Sequence, residues 1–147
     1  MCIRDRTSGA TAGITDTGIV TVGGDLAATT DAGNGVIDMD TLAVDGSIAL
    51  VTEGNGAAIV VNDAAIEFAA STVGGALSAT ATTGNITQSG ALAITGTSTL
   101  VTSADNATID LKVDSITNAF TGALLITTND SDSGTDGDVE IDNGTTN

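Results

Sequence analysis

The 147-residue chain has no histidine, proline, tryptophan or tyrosine, two phenylalanines and one cysteine. Each absence excludes something. A compact globular core leans on aromatic side chains that bury about 150–250 Å² each, and two Phe cannot build one. With no His and with Cys2 alone, a serine nucleophile lacks its common base and a zinc site lacks its preferred ligands, so the sequence reads as that of a protein that is not an enzyme. Three Lys and Arg stand against 19 Asp and Glu, a formal charge of −16. No basic stripe exists to meet a nucleic-acid backbone. The apolar run at residues 57–61 stops at Asn62, far short of the roughly 20 residues that span a bilayer as a helix. The acidity itself reads as a solvated surface.

What is present is small and β-branched: 26 Thr, 22 Ala and 19 Gly, with 41% hydrophobic residues. That apolar content argues against a disordered acidic tail. Residues 1–6, MCIRDR, differ from everything that follows and resemble the conceptual translation of a transposase sequencing adapter. They are set aside as non-native, residues 7–20 as an incomplete lead-in, and residues 21–147 as a repeat segment truncated at both ends. On this reading Cys2, Arg4 and Arg6 are foreign, Lys112 is the only native base, and the fragment holds no signal peptide.

Self-similarity organises the rest. TVGGDLAATT at residues 21–30 matches TVGGALSATA at residues 72–81 in seven of ten positions, where composition alone gives roughly one identity in nine. LAVDGSIALVT at residues 42–52 matches LAITGTSTLVT at residues 92–102, and a third partial copy begins near Thr121. Apolar residues alternate in bursts, among them Ile37/Met39, Leu42/Val44, Ile48/Leu50, Ile59/Val61, Ile66/Phe68, Leu92/Ile94 and Ile109/Leu111. Period two is a strand signal. Gly-x-apolar introduces most bursts, as at Gly46, Gly75, Gly90 and Gly122, where glycine turns the chain sharply. Residues 57–71 lack Gly and are rich in Ala, so a helix competes there. Ile59-Val60-Val61 and Ile66-Glu67-Phe68 favour strand.

The expected fold is therefore all-β: a parallel β-helix, or β-solenoid, of about six turns, each ~50-residue repeat making two turns of three short strands. Successive turns rise by about 4.8 Å. A sandwich or barrel gives short strands but no 50-residue repeat. An isolated segment of such a rod presents two open β ends and is expected to associate end to end.

Residues 84–122 carry a family resemblance, in GNITQSGAL at residues 84–92, TGTST at 95–99, Ile109, Leu111 and NAFTGAL at 118–124. They resemble the repeats of filamentous-haemagglutinin-like bacterial surface proteins, of the autotransporter-type adhesin kind. The resemblance implies a long right-handed β-helix exported to the cell surface or secreted. It implies a non-catalytic stalk segment whose partners are the neighbouring turns of the full-length chain and host-surface or matrix glycans or proteins. No cofactor is implied.

One segment invites a ligand. In NDSDSGTDGD at residues 129–138, Asp130, Asp132, Asp136 and Asp138 supply the hard oxygen donors that calcium prefers, which gives a second reading, a calcium-dependent surface-binding module. The spacing fails the EF-hand pattern: with Asp132 first, Gly134 stands third and Asn143 holds the twelfth place, where a bidentate Glu belongs. The plainer reading is a solvated acidic loop inserted between two turns. Threonine pairs at Thr15/Thr17, Thr80/Thr82 and Thr95/Thr97/Thr99 raise ice binding, but the 50-residue register sets the last group against Asp45, Ser47 and Ala49 and breaks the ladder. A polysaccharide-degrading β-helix would set acids beside Arg or Lys, and no Asp repeats in register near Lys112, the only native base on this reading.

Overall fold

The computed structural model describes residues 3–7, 13–30, 33–131 and 137–144. Every regular element among them is a strand. In chain order these are β1 (Ile3–Thr7), β2 (Ile14–Thr15), β3 (Val20–Val22), β4 (Leu26–Thr30), β5 (Ile37–Val44) and β6 (Ser47–Thr52). There follow β7 (Ala58–Asn62), β8 (Ile66–Phe68), β9 (Ser71–Val73), β10 (Leu77–Ala81), β11 (Ile86–Gln88) and β12 (Leu92–Ile94). The last are β13 (Ser98–Asp105), β14 (Ile109–Leu111), β15 (Ala119–Phe120), β16 (Leu124–Asn129) and β17 (Val139–Ile141). The Ala-rich stretch that could have been helix is β7, β8 and the start of β9. Val and Ile lose χ1 freedom in a helix but pack well on a pleated face.

All pairings are parallel, and they form two sheets. Sheet I has ten strands and runs from β15 through β12, β9 and β6 on one arm and from β17 through β14, β11 and β8 on the other, with β4 and β1 beyond β6. Sheet II has seven, in the order β16-β13-β10-β7-β5-β2 with β3 also on β5. From β7 onward each turn is one longer strand in sheet II followed by two short ones in sheet I. This is a parallel β-solenoid, with the expected three strands per turn. Sheet II stacks six strands along its main path, which makes about five turns and a rod roughly 24 Å long; the expected six turns is one too many.

The turn length explains the difference. Ile14, Ile37, Ala58, Leu77, Ser98 and Leu124 stand level in successive turns, spacings of 19 to 26 residues. A 50-residue repeat is then two and a half turns, not two. TVGG begins in β3 of sheet II and leads into β4 of sheet I, whereas its copy begins in β9 of sheet I and leads into β10 of sheet II. Both five-residue strands keep the same alternation, buried at the first, third and fifth residues. The unit of short strand, glycine bend and longer strand thus serves either half of the cross-section, because both walls ask the same of it: alternate small apolar side chains inward and a sharp corner before them.

One continuous cluster from Ile14 to Phe120 fills the interior. Phe68, fully buried, and Phe120 are the only aromatics and both belong to it. Full burial of each Leu, Ile or Val contributes about 1.5–3 kcal/mol. One burst is out of phase with expectation. In β7 it is Ala58, Val60 and Asn62 that are buried, while Ile59 and Val61 face outward and are half-buried. An apolar run through Ala57, Ala58, Ile59, Val60 and Val61 has no period of two to read.

The corner preceding sheet II is set by a column of glycines. A Cβ on Gly56, Gly75, Gly96 or Gly122 would run into the backbone of Gly35, Gly56, Gly75 or Gly96 respectively, one turn below. Main-chain bonds link the column, from Gly75 N–H to Gly56 O at 2.8 Å and from Gly96 N–H to Gly75 O at 2.9 Å. Close stacking of backbone on backbone, turn after turn, admits no side chain there.

Candidate functional site

The outward side chains are the surface available for function, and strand register sorts them. On sheet I, Glu67, Thr87, Asp110 and Glu140 form one vertical file through β8, β11, β14 and β17. Asp110, Asp138 and Glu140, with Thr108 and Ile109, line a cleft of about 310 Å³. Lys112 Nζ lies 3.9 Å from Glu140 Oε2, an exposed pair of little energetic weight.

Of the four proposed calcium ligands, Asp130 follows β16 and Asp138 immediately precedes β17, both exposed. Asp132 and Asp136 lie outside the described residues. Among the described residues no three His, Cys, Asp or Glu side chains gather as a metal-holding group. The loop is an insertion in the turn: Leu77 and Ile86 are nine residues apart, whereas Leu124 and Val139, which stand level with them two turns on, are 15. Asp138 serves the ladder through its carbonyl, which accepts from Ile109 N–H at 3.0 Å. Asp105, one turn below, accepts from Ser131 N–H at 2.6 Å.

Two aspartates that the sequence reading passed over hold corners instead. Asp16 accepts from the Thr41 hydroxyl at 2.8 Å, from Thr41 N–H at 3.0 Å and from Asp40 N–H at 3.3 Å. Slight burial works to raise its pKa, but these donors outweigh it and hold the carboxyl below the usual range. Asp25 is held low by Ser47 N–H and then by the Ser47 hydroxyl, each at 2.9 Å. Both acids clasp the next turn, and a stacking register was the signal that would have found them.

Two buried asparagines were also missed. Asn62 accepts from Val44 N–H at 2.8 Å and donates to Val44 O and Ala65 O at 3.0 and 2.7 Å. Asn118 accepts from Leu92 N–H at 2.9 Å, and its Nδ2, with two hydrogens to give, lies within 3.0 Å of three acceptors, Leu111 O, Asp142 O and Gln88 Oε1. These satisfy main-chain groups where the ladder breaks at a corner.

Sheet II presents a different surface. Its outward files, Ile59, Ser78, Thr99, Leu125 and Val61, Thr80, Val101, Thr127, run through β7, β10, β13 and β16 without a charge. Thr99 stands between Ser78 and Leu125, not beside Asp45, Ser47 or Ala49, so the register used against a threonine ladder is corrected while the ladder stays broken.

Residues 54–127, from the corner before β7 into β16, match a family model described as repeats of unknown function (DUF5649). The chain belongs to that family. The DUF5649 match thus covers the part of the rod in which every turn has the same three-strand form. No curated protein and no solved structure matches the chain.

Proposed function

We propose that this chain is a structural spacer, a non-catalytic stalk segment of a large bacterial protein that is secreted or held at the cell surface, of the adhesin kind. The observation that carries the reading is the path of the chain. It enters the stack at β2 and reaches β16 at the far end, so every turn adds height and none doubles back. A continuous interior and a stacked glycine corner join neighbouring turns, and stability in such an array is the sum of turns and their interfaces. The DUF5649 repeat match and the resemblance of residues 84–122 to filamentous-haemagglutinin-like repeats support the same role. The spacer needs no cofactor; its partners are the turns before and after it, with host glycans or proteins met at the surface of the whole assembly.

A spacer must hold a fixed distance. Thr15 and Leu125 end one outward file on sheet II, through Asp38, Ile59, Ser78 and Thr99. Spin labels on Thr15→Cys and Leu125→Cys, in a Cys2→Ser background, should give one narrow pulsed-EPR distance distribution consistent with five rises, roughly 24 Å between backbones. A broad distribution spanning tens of ångströms would contradict the spacer role.

A further inference from the structure

We infer that a cleft beside sheet II, walled by Ile19, Leu42 and Val61 and rimmed by Asp40, Asp63 and Thr82, is a docking site for a lysine side chain of a partner protein, an ammonium group on an unbranched apolar stem. The inference rests on a change of cross-section inside the rod and goes beyond the spacer reading.

The cleft exists because two successive turns differ. β5 is eight residues long and carries both β2 and β3, whereas β7, its other neighbour in sheet II, is five residues long and ends at Asn62. Ile37, Asp38 and Met39 pair with β7 in register. Beyond them Asp40 and Thr41 together oppose Val61, and Leu42 is level with Asn62. This is a β-bulge, a device that re-aims side chains. Asp16 fixes it from the turn below, accepting from the Thr41 hydroxyl, Thr41 N–H and Asp40 N–H. Past Asn62 the chain leaves for β8 in sheet I, and the second half of β5 has no strand of the next turn beside it. The buried Asn62 amide stands in for one, bonded to Val44 N–H at 2.8 Å and Val44 O at 3.0 Å. The step lies within the stack, between β2 and β3 on one side and β10 on the other.

The lining offers two kinds of contact. Ile19, just before β3, is 77% exposed, an apolar side chain left in water at the mouth of an apolar wall. Asp40 and Asp63 are exposed. The ladder uses their main chains, Asp63 N–H donating to Leu42 O at 2.9 Å, and neither carboxylate has a partner among the described residues. The Thr82 hydroxyl donates to Asn62 O at 2.9 Å, which leaves its lone pairs as acceptors. No Lys or Arg lines the cleft. An ammonium brings three donors and no acceptor. As a point charge it suits carboxylates set apart on neighbouring turns, whereas a guanidinium fork suits one planar carboxylate. The volume, about 220 Å³, is below the roughly 300–1,000 Å³ of sites for drug-sized ligands and matches a single side chain. A four-carbon stem would cover Ile19 and Val61 while its charged head meets the rim, and a chain of formal charge −16 draws a cationic partner toward it.

An NMR titration of the isotope-labelled full chain with acetyl-lysine methylamide at low salt tests it. The amide signals of Thr41, Val61, Asp63 and Thr82 should shift and saturate. Acetyl-norleucine methylamide keeps the stem without the charge, and methylammonium keeps the charge without the stem; each should bind about fivefold or more weakly. Asp40→Asn combined with Asp63→Asn should weaken the capped lysine about fivefold or more. Ile19→Ser should weaken the capped lysine and leave methylammonium unchanged, and circular dichroism should show both variants folded. Absence of saturable shifts, equal binding of capped norleucine or methylammonium, or folded variants that bind the capped lysine like the wild type would each overturn the inference.

Discussion

Ser98 stands in an interior column otherwise made of Ile14, Ile37, Ala58, Leu77 and Leu124. It is fully buried and its Oγ has no partner. An unmade hydrogen bond in such a place costs about 1–3 kcal/mol, while alanine at the level of Ala58 shows that the column accepts a methyl group. Ser98→Ala should therefore stabilise the protein by about 1 kcal/mol, read as a higher urea midpoint at unchanged slope. A lower midpoint would show that the hydroxyl is satisfied. Asn62 is the opposite case, a buried polar residue with every hydrogen bond made. Neither was legible in the sequence. Residue patterning finds the face of a strand by contrast between neighbours, and around residues 57–62 and at Ser98 the inward and outward residues are too alike in polarity to give that contrast. The apolar pairs flanked by polar residues, such as Ile66/Phe68 and Ile109/Leu111, were legible and are buried as expected.

At the scale of elements, glycine punctuation gave the strand starts. A glycine two residues before the sheet II strand, at Gly35, Gly56, Gly75, Gly96 and Gly122, marks the same corner in five successive turns, each residue stacked on the last; the Gly-x-apolar signal picked out Gly75 and Gly122 among them. What that spacing carries beyond a turn signal is steric. A Cβ on Gly96 would lie 2.6 Å from the Gly75 carbonyl carbon and 2.7 Å from Ala76 N, backbone atoms that are themselves held in the ladder. Gly96→Ala should destabilise by about 2–3 kcal/mol, measured by urea unfolding, although the same change in an ordinary exposed loop is often neutral or helpful. A neutral Gly96→Ala would mean that the turns are not in this close register. The acidic segment was legible as an insertion, since it interrupts the rhythm of bursts, and the 15-residue step from Leu124 to Val139, against nine from Leu77 to Ile86, agrees with that. Its ligand chemistry was not, because oxygen donors scattered along a loop fix no coordination geometry.

For the whole molecule, the solenoid was legible because only stacked, nearly equivalent turns make a core from small β-branched residues with two Phe. The turn length was not. A strong internal match at 50 and 51 residues divides most simply into two turns of about 25, yet it relates segments on opposite walls. The weaker likeness of residues 75–80 to 122–127 is the one that joins the same corner and the same sheet, two turns apart. Similarity in a solenoid reports equivalent environments, and a cross-section with two like walls offers two of them per turn.

Thr80 and Val101, 21 residues apart, are level neighbours on the outer face of β10 and β13, at the strand separation of about 4.8 Å that a disulfide can bridge. Ala76, which a 25-residue turn would set against Val101, lies before β10, four residues from Thr80. In a Cys2→Ser background, Thr80→Cys/Val101→Cys should oxidise to an intramolecular disulfide while Ala76→Cys/Val101→Cys stays reduced under the same conditions. Ready closure of the 76/101 pair, or failure of the 80/101 pair in a folded chain, would contradict the stacked solenoid described here.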